Sequence, residues 1–98
     1  MIFKETPLQG AFIIEPEILT DKRGAFARIF CQKEFENYGL DTNISQCSIS
    51  LNTKKFTLRG IHYQNSPHEE AKLVRCSRGM IYDVIVDLRP NSPTFMEW

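Results

Sequence analysis

Three side chains in the middle of the chain are of types that move protons and hold negative charge. Arg59 and His62 stand in Arg59-Gly60-Ile61-His62-Tyr63-Gln64, and Lys72 stands in Ala71-Lys72-Leu73-Val74-Arg75. All three sit among apolar and β-favouring residues, where a buried cation without a partner is expensive. A pocket explains them better than a structural strand does. An imidazole exchanges its proton near neutral pH, because its unperturbed pKa is about 6.5. An ammonium group stabilises negative charge as it develops on an oxygen. The pair suits removal of a proton next to a carbonyl. A lone histidine on a strand is more often a hydrogen-bonded structural residue, so the reading needs both groups at one surface.

The elements that must position them read as short strands. Ala11 to Leu19 is a strand pair or a bent strand, with Pro16 restricting its middle. Asp21-Lys22-Arg23-Gly24 is a turn, since Asp bonds its own backbone and Gly supplies a positive φ. Ala25 to Phe30 alternates and reads as a strand carrying Phe26, Arg28 and Phe30 on one side. Gln32 to Tyr38 is the one helical candidate, closed by Gly39. Strands follow at Ile44 to Leu51 and Thr57 to Gln64, and a loop at Asn65 to Glu70. Lys72 to Cys76 and Met80 to Leu88 form a hairpin through Ser77-Arg78-Gly79, and Phe95 to Trp98 begins another strand.

Strand parity tests the pocket. A two-residue turn at Ser77-Arg78 sets Lys72 opposite Asp83, and moving the turn to Arg78-Gly79 leaves them diagonal on the same face. Asp83 is therefore expected to support Lys72, with apolar Val74 and Ile81 beside it. The ordinary alternative is a solvated cross-strand ion pair. Strict alternation sends Arg59 and His62 to opposite faces, but Gly60 permits a bulge that would reunite them.

A metal site competes for His62. In Gly60-Ile61-His62-Tyr63-Gln64, however, Gln64 occupies the alternate position where a second histidine ligand would be needed, and an amide oxygen is a poor substitute for imidazole. No metal or other cofactor is expected. The chain has no glycine-rich phosphate loop and no nucleophile elbow. Arg23 and Arg59 remain as phosphate-binding candidates, because guanidinium grips phosphate oxygens in pairs.

Composition bounds the rest. The chain has 98 residues, 42% hydrophobic and 24% charged, which suits one small folded domain. Twelve basic residues balance twelve acidic ones, which argues against a nucleic-acid-binding surface. Cys31, Cys47 and Cys76 are widely spaced and suit free thiols in the cytoplasm. No apolar run is long enough for a signal peptide or a membrane span. About seven short strands separated by turn signals give an all-β sandwich or barrel. Entry into a new strand at Trp98 leaves that sheet incomplete at its C-terminal end.

The segments Asp21 to Phe26, Leu58 to Gln64, Ala71 to Cys76, and Asp83 to Arg89 with Ser92-Pro93-Thr94-Phe95 resemble the dTDP-4-dehydrorhamnose 3,5-epimerases, metal-free cupins of deoxysugar nucleotide synthesis. The resemblance runs in unbroken order over nearly the whole chain. It implies a cupin-type jelly roll, here a truncated single domain over residues 1–98, acting as a homodimer on dTDP-4-dehydro-6-deoxy-D-glucose. It implies that His62 removes the protons at C3 and C5, and that Lys72 stabilises the enolate at O4. It further implies substrate contacts from Arg23, Phe26, Arg28, Gln46, Ser48 and Arg59.

The chain departs from the family pattern in three places. Arg28 stands where many members have glutamate, and Ser48-Ile49 replaces asparagine and histidine. The family's tyrosine acid, and the aspartate that supports its histidine, belong to a C-terminal half beyond these residues. Two other functions are thus open: an inactive cupin remnant that binds nucleotide sugar or only oligomerises, and a related ketoisomerase or single-site epimerase.

Overall fold

The computed structural model describes residues 1–98. Its regular structure lies in the first part of the chain: β1 (Ile2–Glu5), β2 (Phe12–Glu15), β3 (Ile18–Asp21), β4 (Gly24–Ala27) and α1 (Gln32–Asn37). Both sheets are antiparallel pairs of neighbouring strands, β1 with β2 and β3 with β4. The class is all-β, as expected. No barrel is closed.

Local chemistry writes each pairing. Between β1 and β2 the Thr6 hydroxyl donates toward the carbonyls of Leu8 and Ala11 and accepts from the Leu8 amide. Gly10 takes φ +84° at the tip, a conformation open to glycine. The ladder then aligns Phe3 with Ile14 and Glu5 with Phe12. Pro16 lacks an N–H and separates β2 from β3, so the Ala11–Leu19 stretch is neither one bent strand nor a strand pair: β2 pairs with β1, and β3 with β4. At Asp21-Lys22-Arg23-Gly24 the Asp21 carboxylate accepts the Arg23 amide, and Gly24 takes φ +136°. That turn is the expected one. β1 had no place in the sequence reading, because Ile2-Phe3-Lys4-Glu5 is too short to show a period.

Helix α1 ends in a Schellman closure. Gly39 donates to the Glu36 carbonyl and Leu40 to the Phe35 carbonyl, with Gly39 at φ +68°. The helix rests on aromatic contacts. Phe35 meets Phe3 edge-on at 5.3 Å and Phe30 at 4.9 Å, while Tyr38 stacks on Phe3 at 4.2 Å. Phe35 and Leu8 are the buried hydrophobic residues.

The strands expected at Ile44–Leu51, Thr57–Gln64, Lys72–Cys76 and Met80–Leu88 do not form. Between residues 41 and 86 one backbone hydrogen bond is made, from the His68 amide to the Asn65 carbonyl. A ladder needs a second backbone alongside to take its amides and carbonyls. Alternation fixes which side chains share a face, but it does not supply that partner. Leu58 and Met80 accordingly stand 92% exposed.

Order returns at the end of the chain. The Asp87 amide donates to the Glu97 carbonyl and the Met96 amide to the Asp87 carbonyl. Phe95–Trp98 thus enters a turn closed on Asp87 and starts no strand.

Candidate functional site

Arg23, Phe26 and Arg28 are gathered on the β3–β4 hairpin. The ladder ends at Ala27, and Phe26 faces Leu19 across it with 70% of its surface open. The Arg23 guanidinium folds back on Asp21 within the same turn. This neighbour holds the Asp21 carboxyl below the usual carboxylate range. Arg28 leaves the hairpin and donates Nη1 to Glu34 Oε1 of α1 at 2.8 Å.

Glu34 is a junction. Its other oxygen accepts the Met1 ammonium at 2.8 Å, and that ammonium also reaches Glu17 at 2.6 Å. Those bonds, Met1 first and Arg28 second, keep the Glu34 carboxyl below its ordinary range. Glu17 and then Glu34 raise the pKa of the amino group. Sequence reasoning left Glu34 out. The available signal was its place in the first turn of a helix, six positions after Arg28.

Arg59 points its Nε at the Asn52 side-chain oxygen, 2.7 Å away, and Nη2 toward the Leu51 carbonyl. Gly60, between it and His62, adopts φ +103°. The chain kinks there, but with no ladder on either side the kink is not a β-bulge. His62 is exposed, as are Gln46 and Ser48.

Lys72 does not pair with Asp83. Its ammonium lies 2.9 Å from Glu70 Oε1. The hairpin that would have brought Asp83 across is absent, whereas Glu70 lies only two residues back in the chain. Lys72 chiefly, with a smaller contribution from Gln64, lowers the Glu70 pKa. Glu70 is therefore the ion-pair partner of Lys72. Reading Asn65–Glu70 only as a loop hid this role.

Asp87 is the buried carboxylate of the chain, 5% exposed. Arg89 donates Nε and Nη2 to its two oxygens, and the hydroxyls of Ser92 and Thr94 donate to Oδ2. Arg89 foremost, then Ser92, depress its pKa far below the usual range. Beside it an open cleft of about 270 Å³ runs between Leu8–Ala11 and Ile85–Arg89. Neither His62 nor Lys72 lines this cleft or its neighbour at Gln9, Arg89 and Asn91. No group of three or more His, Cys, Asp and Glu side chains is arranged to hold a metal ion. No helix is long and apolar enough to cross a membrane.

A sequence model of the family described as dTDP-4-dehydrorhamnose 3,5-epimerase matches residues 5–98. A protein of that name from Methanothermobacter thermautotrophicus is 46% identical over 96 residues, covering 98% of this chain and 51% of the relative. One from Shigella flexneri is 43% identical over 95 residues, covering 96% and 52%. One from Sinorhizobium fredii is 38% identical over 98 residues, covering 100% and 50%. The chain spans about half the length of the curated relatives it matches. No solved structure matches it.

Proposed function

The chain belongs to the dTDP-4-dehydrorhamnose 3,5-epimerase family, and from that premise we propose that it serves the reaction for which the family is named. The substrate is dTDP-4-dehydro-6-deoxy-D-glucose, and the steps are epimerisations at C3 and C5 that need no cofactor. His62 takes a proton from carbon next to the C4 ketone. The electron pair of the broken C–H bond moves onto O4 as an enolate; it then returns to carbon as a proton from solvent reaches the opposite face of the ring, and His62 releases the proton it took to solvent. Lys72 stabilises the charge on O4. Arg59, Arg23 and Arg28 hold the diphosphate, Phe26 stacks on the base, and Gln46 and Ser48 add polar contacts. Glu70, the partner seen beside Lys72, keeps the ammonium oriented in place of the expected Asp83.

The observation that carries this reading is a family match over residues 5–98, a span that includes His62 and Lys72. Residues 1–98 act as part of one cupin-like domain, in the cytoplasm and as a homodimer. Balanced charge and three free cysteines support the compartment, and the apolar surface left open from Ile44 to Met80 supports association.

Solvent-deuterium incorporation tests the function directly. Exchange at C3 and C5 of the substrate that disappears in His62→Ala is the expected result. Retained nucleotide-sugar binding without exchange would overturn it in favour of an inactive binding protein. Exchange at one carbon alone would assign a single-site epimerase.

A further inference from the structure

Resting on that reading, we propose that Glu34 is the positioning residue for Arg28, fixing the diphosphate-binding edge of the β3–β4 hairpin against α1. Two side chains give that edge its chemistry. Phe26 offers an open π-face, and Arg28, two residues on and 62% exposed, offers a guanidinium. A nucleoside diphosphate presents a base to stack and phosphate oxygens for a planar cation to grip. Arg28 lies one residue beyond the last ladder pair, Ile18 with Ala27, so the sheet does not hold it. Left alone, a long side chain there samples many rotamers, and ordering it on a ligand costs affinity.

Glu34 removes much of that freedom. Its own place is set by the closed helix, by the buried Phe35 beside it and by the Met1 ammonium on Oε2. Its bond to Arg28 uses Nη1, so the guanidinium has further donors for phosphate. The Met1 ammonium also offsets the negative charge that Glu34 brings toward an incoming anion. Arg23 provides the contrast. Its partner Asp21 sits on the same turn and moves with it, so that pair fixes nothing relative to the helix.

Thymidine diphosphate is the probe, titrated calorimetrically into the wild-type chain, Glu34→Ala, Arg28→Ala and the double variant. Glu34→Ala is expected to weaken binding about two- to fivefold, the range of an exposed ion pair. It should do nothing further in the Arg28→Ala background, and Glu34→Gln, which keeps an acceptor for Nη1, should lie between. Unchanged or tighter binding in Glu34→Ala would overturn the proposal. So would an equal loss with Arg28 already removed, since that marks a general structural role. A wild-type chain that does not bind the nucleotide defeats the functional reading first, and this inference with it.

Discussion

The Lys72 ammonium rests 2.9 Å from the Glu70 carboxylate, two residues earlier in the chain. Both side chains are partly exposed, so the pair adds little to stability. Its consequence is chemical. A cation held by a neighbour on its own segment keeps its orientation without a cross-strand partner, and it can be shared with an oxygen that gains charge.

On the proposed reaction, with Lys72 facing the enolate oxygen, Lys72→Ala is expected to lower kcat by about 10² to 10³, the usual loss on removing a group that stabilises a developing oxyanion. Binding of the substrate should change little, because the enolate exists only beyond the ground state. Steady-state kinetics together with equilibrium titration separate the two quantities. Equal losses in both would make Lys72 a substrate anchor.

The Asp87 turn makes a prediction in acid. Arg89, Ser92 and Thr94 stabilise the ionised carboxylate, so its folded pKa lies below the unfolded one. The contribution is complete above the unfolded value of about 3.9 and is lost as pH falls toward the folded one. Asp87→Asn removes the charge at every pH. It should reduce hydrogen-exchange protection of the Met96 amide about tenfold at neutral pH, since charge-assisted bonds are replaced by weaker ones. Protection equal to wild type would show that the backbone bonds close the turn alone.

What could be read in the sequence was written in neighbouring residues. Asp21 and Gly24 announce their turn within four positions, and Gly39 ends α1 as a single glycine can. The Arg59–Gln64 and Ala71–Cys76 segments announced the family that matches residues 5–98. What could not be read depends on partners elsewhere. The alternation from Ile44 to Leu88 assigns faces to strands but not the backbone that would sit beside them. Glu34 and Glu70 were hidden because charged residues in a helix or loop look solvated until a specific cation is seen against them. Asp87 was hidden because it fell inside the expected Met80–Leu88 strand, whereas Arg89, Ser92 and Thr94, whose side chains converge on it, lie beyond that strand.

Phe35→Ala tests the aromatic cluster. Phe35 is 4% exposed and touches both Phe3 and Phe30, so it couples α1 to β1 and to the segment after β4. Truncating a buried phenylalanine costs about 3 to 5 kcal/mol. Few other residues are buried, so this loss should release α1 altogether. Near-ultraviolet dichroism should lose its aromatic signal while the Asp21–Gly24 turn, held by its own bonds, survives in amide exchange. Loss of both together would show one cooperative unit.

The open face from Ile44 to Met80 makes the last prediction. Leu58 and Met80 are 92% exposed and Phe56 fully so, within segments whose amides and carbonyls lack ladder partners. Exposed apolar side chains on unpaired, strand-forming backbone are a template for another chain. The chain should associate with itself at micromolar concentrations, burying these residues and completing ladders that it cannot complete alone. Leu58→Lys with Met80→Lys should shift light-scattering mass toward the monomer, because a buried cation opposes the contact. The two hairpins should be untouched, since neither residue touches β1 to β4 through a backbone hydrogen bond. A wild-type monomer over that range would remove the homodimer from the functional reading. A mass unchanged by both substitutions would move the contact to another surface.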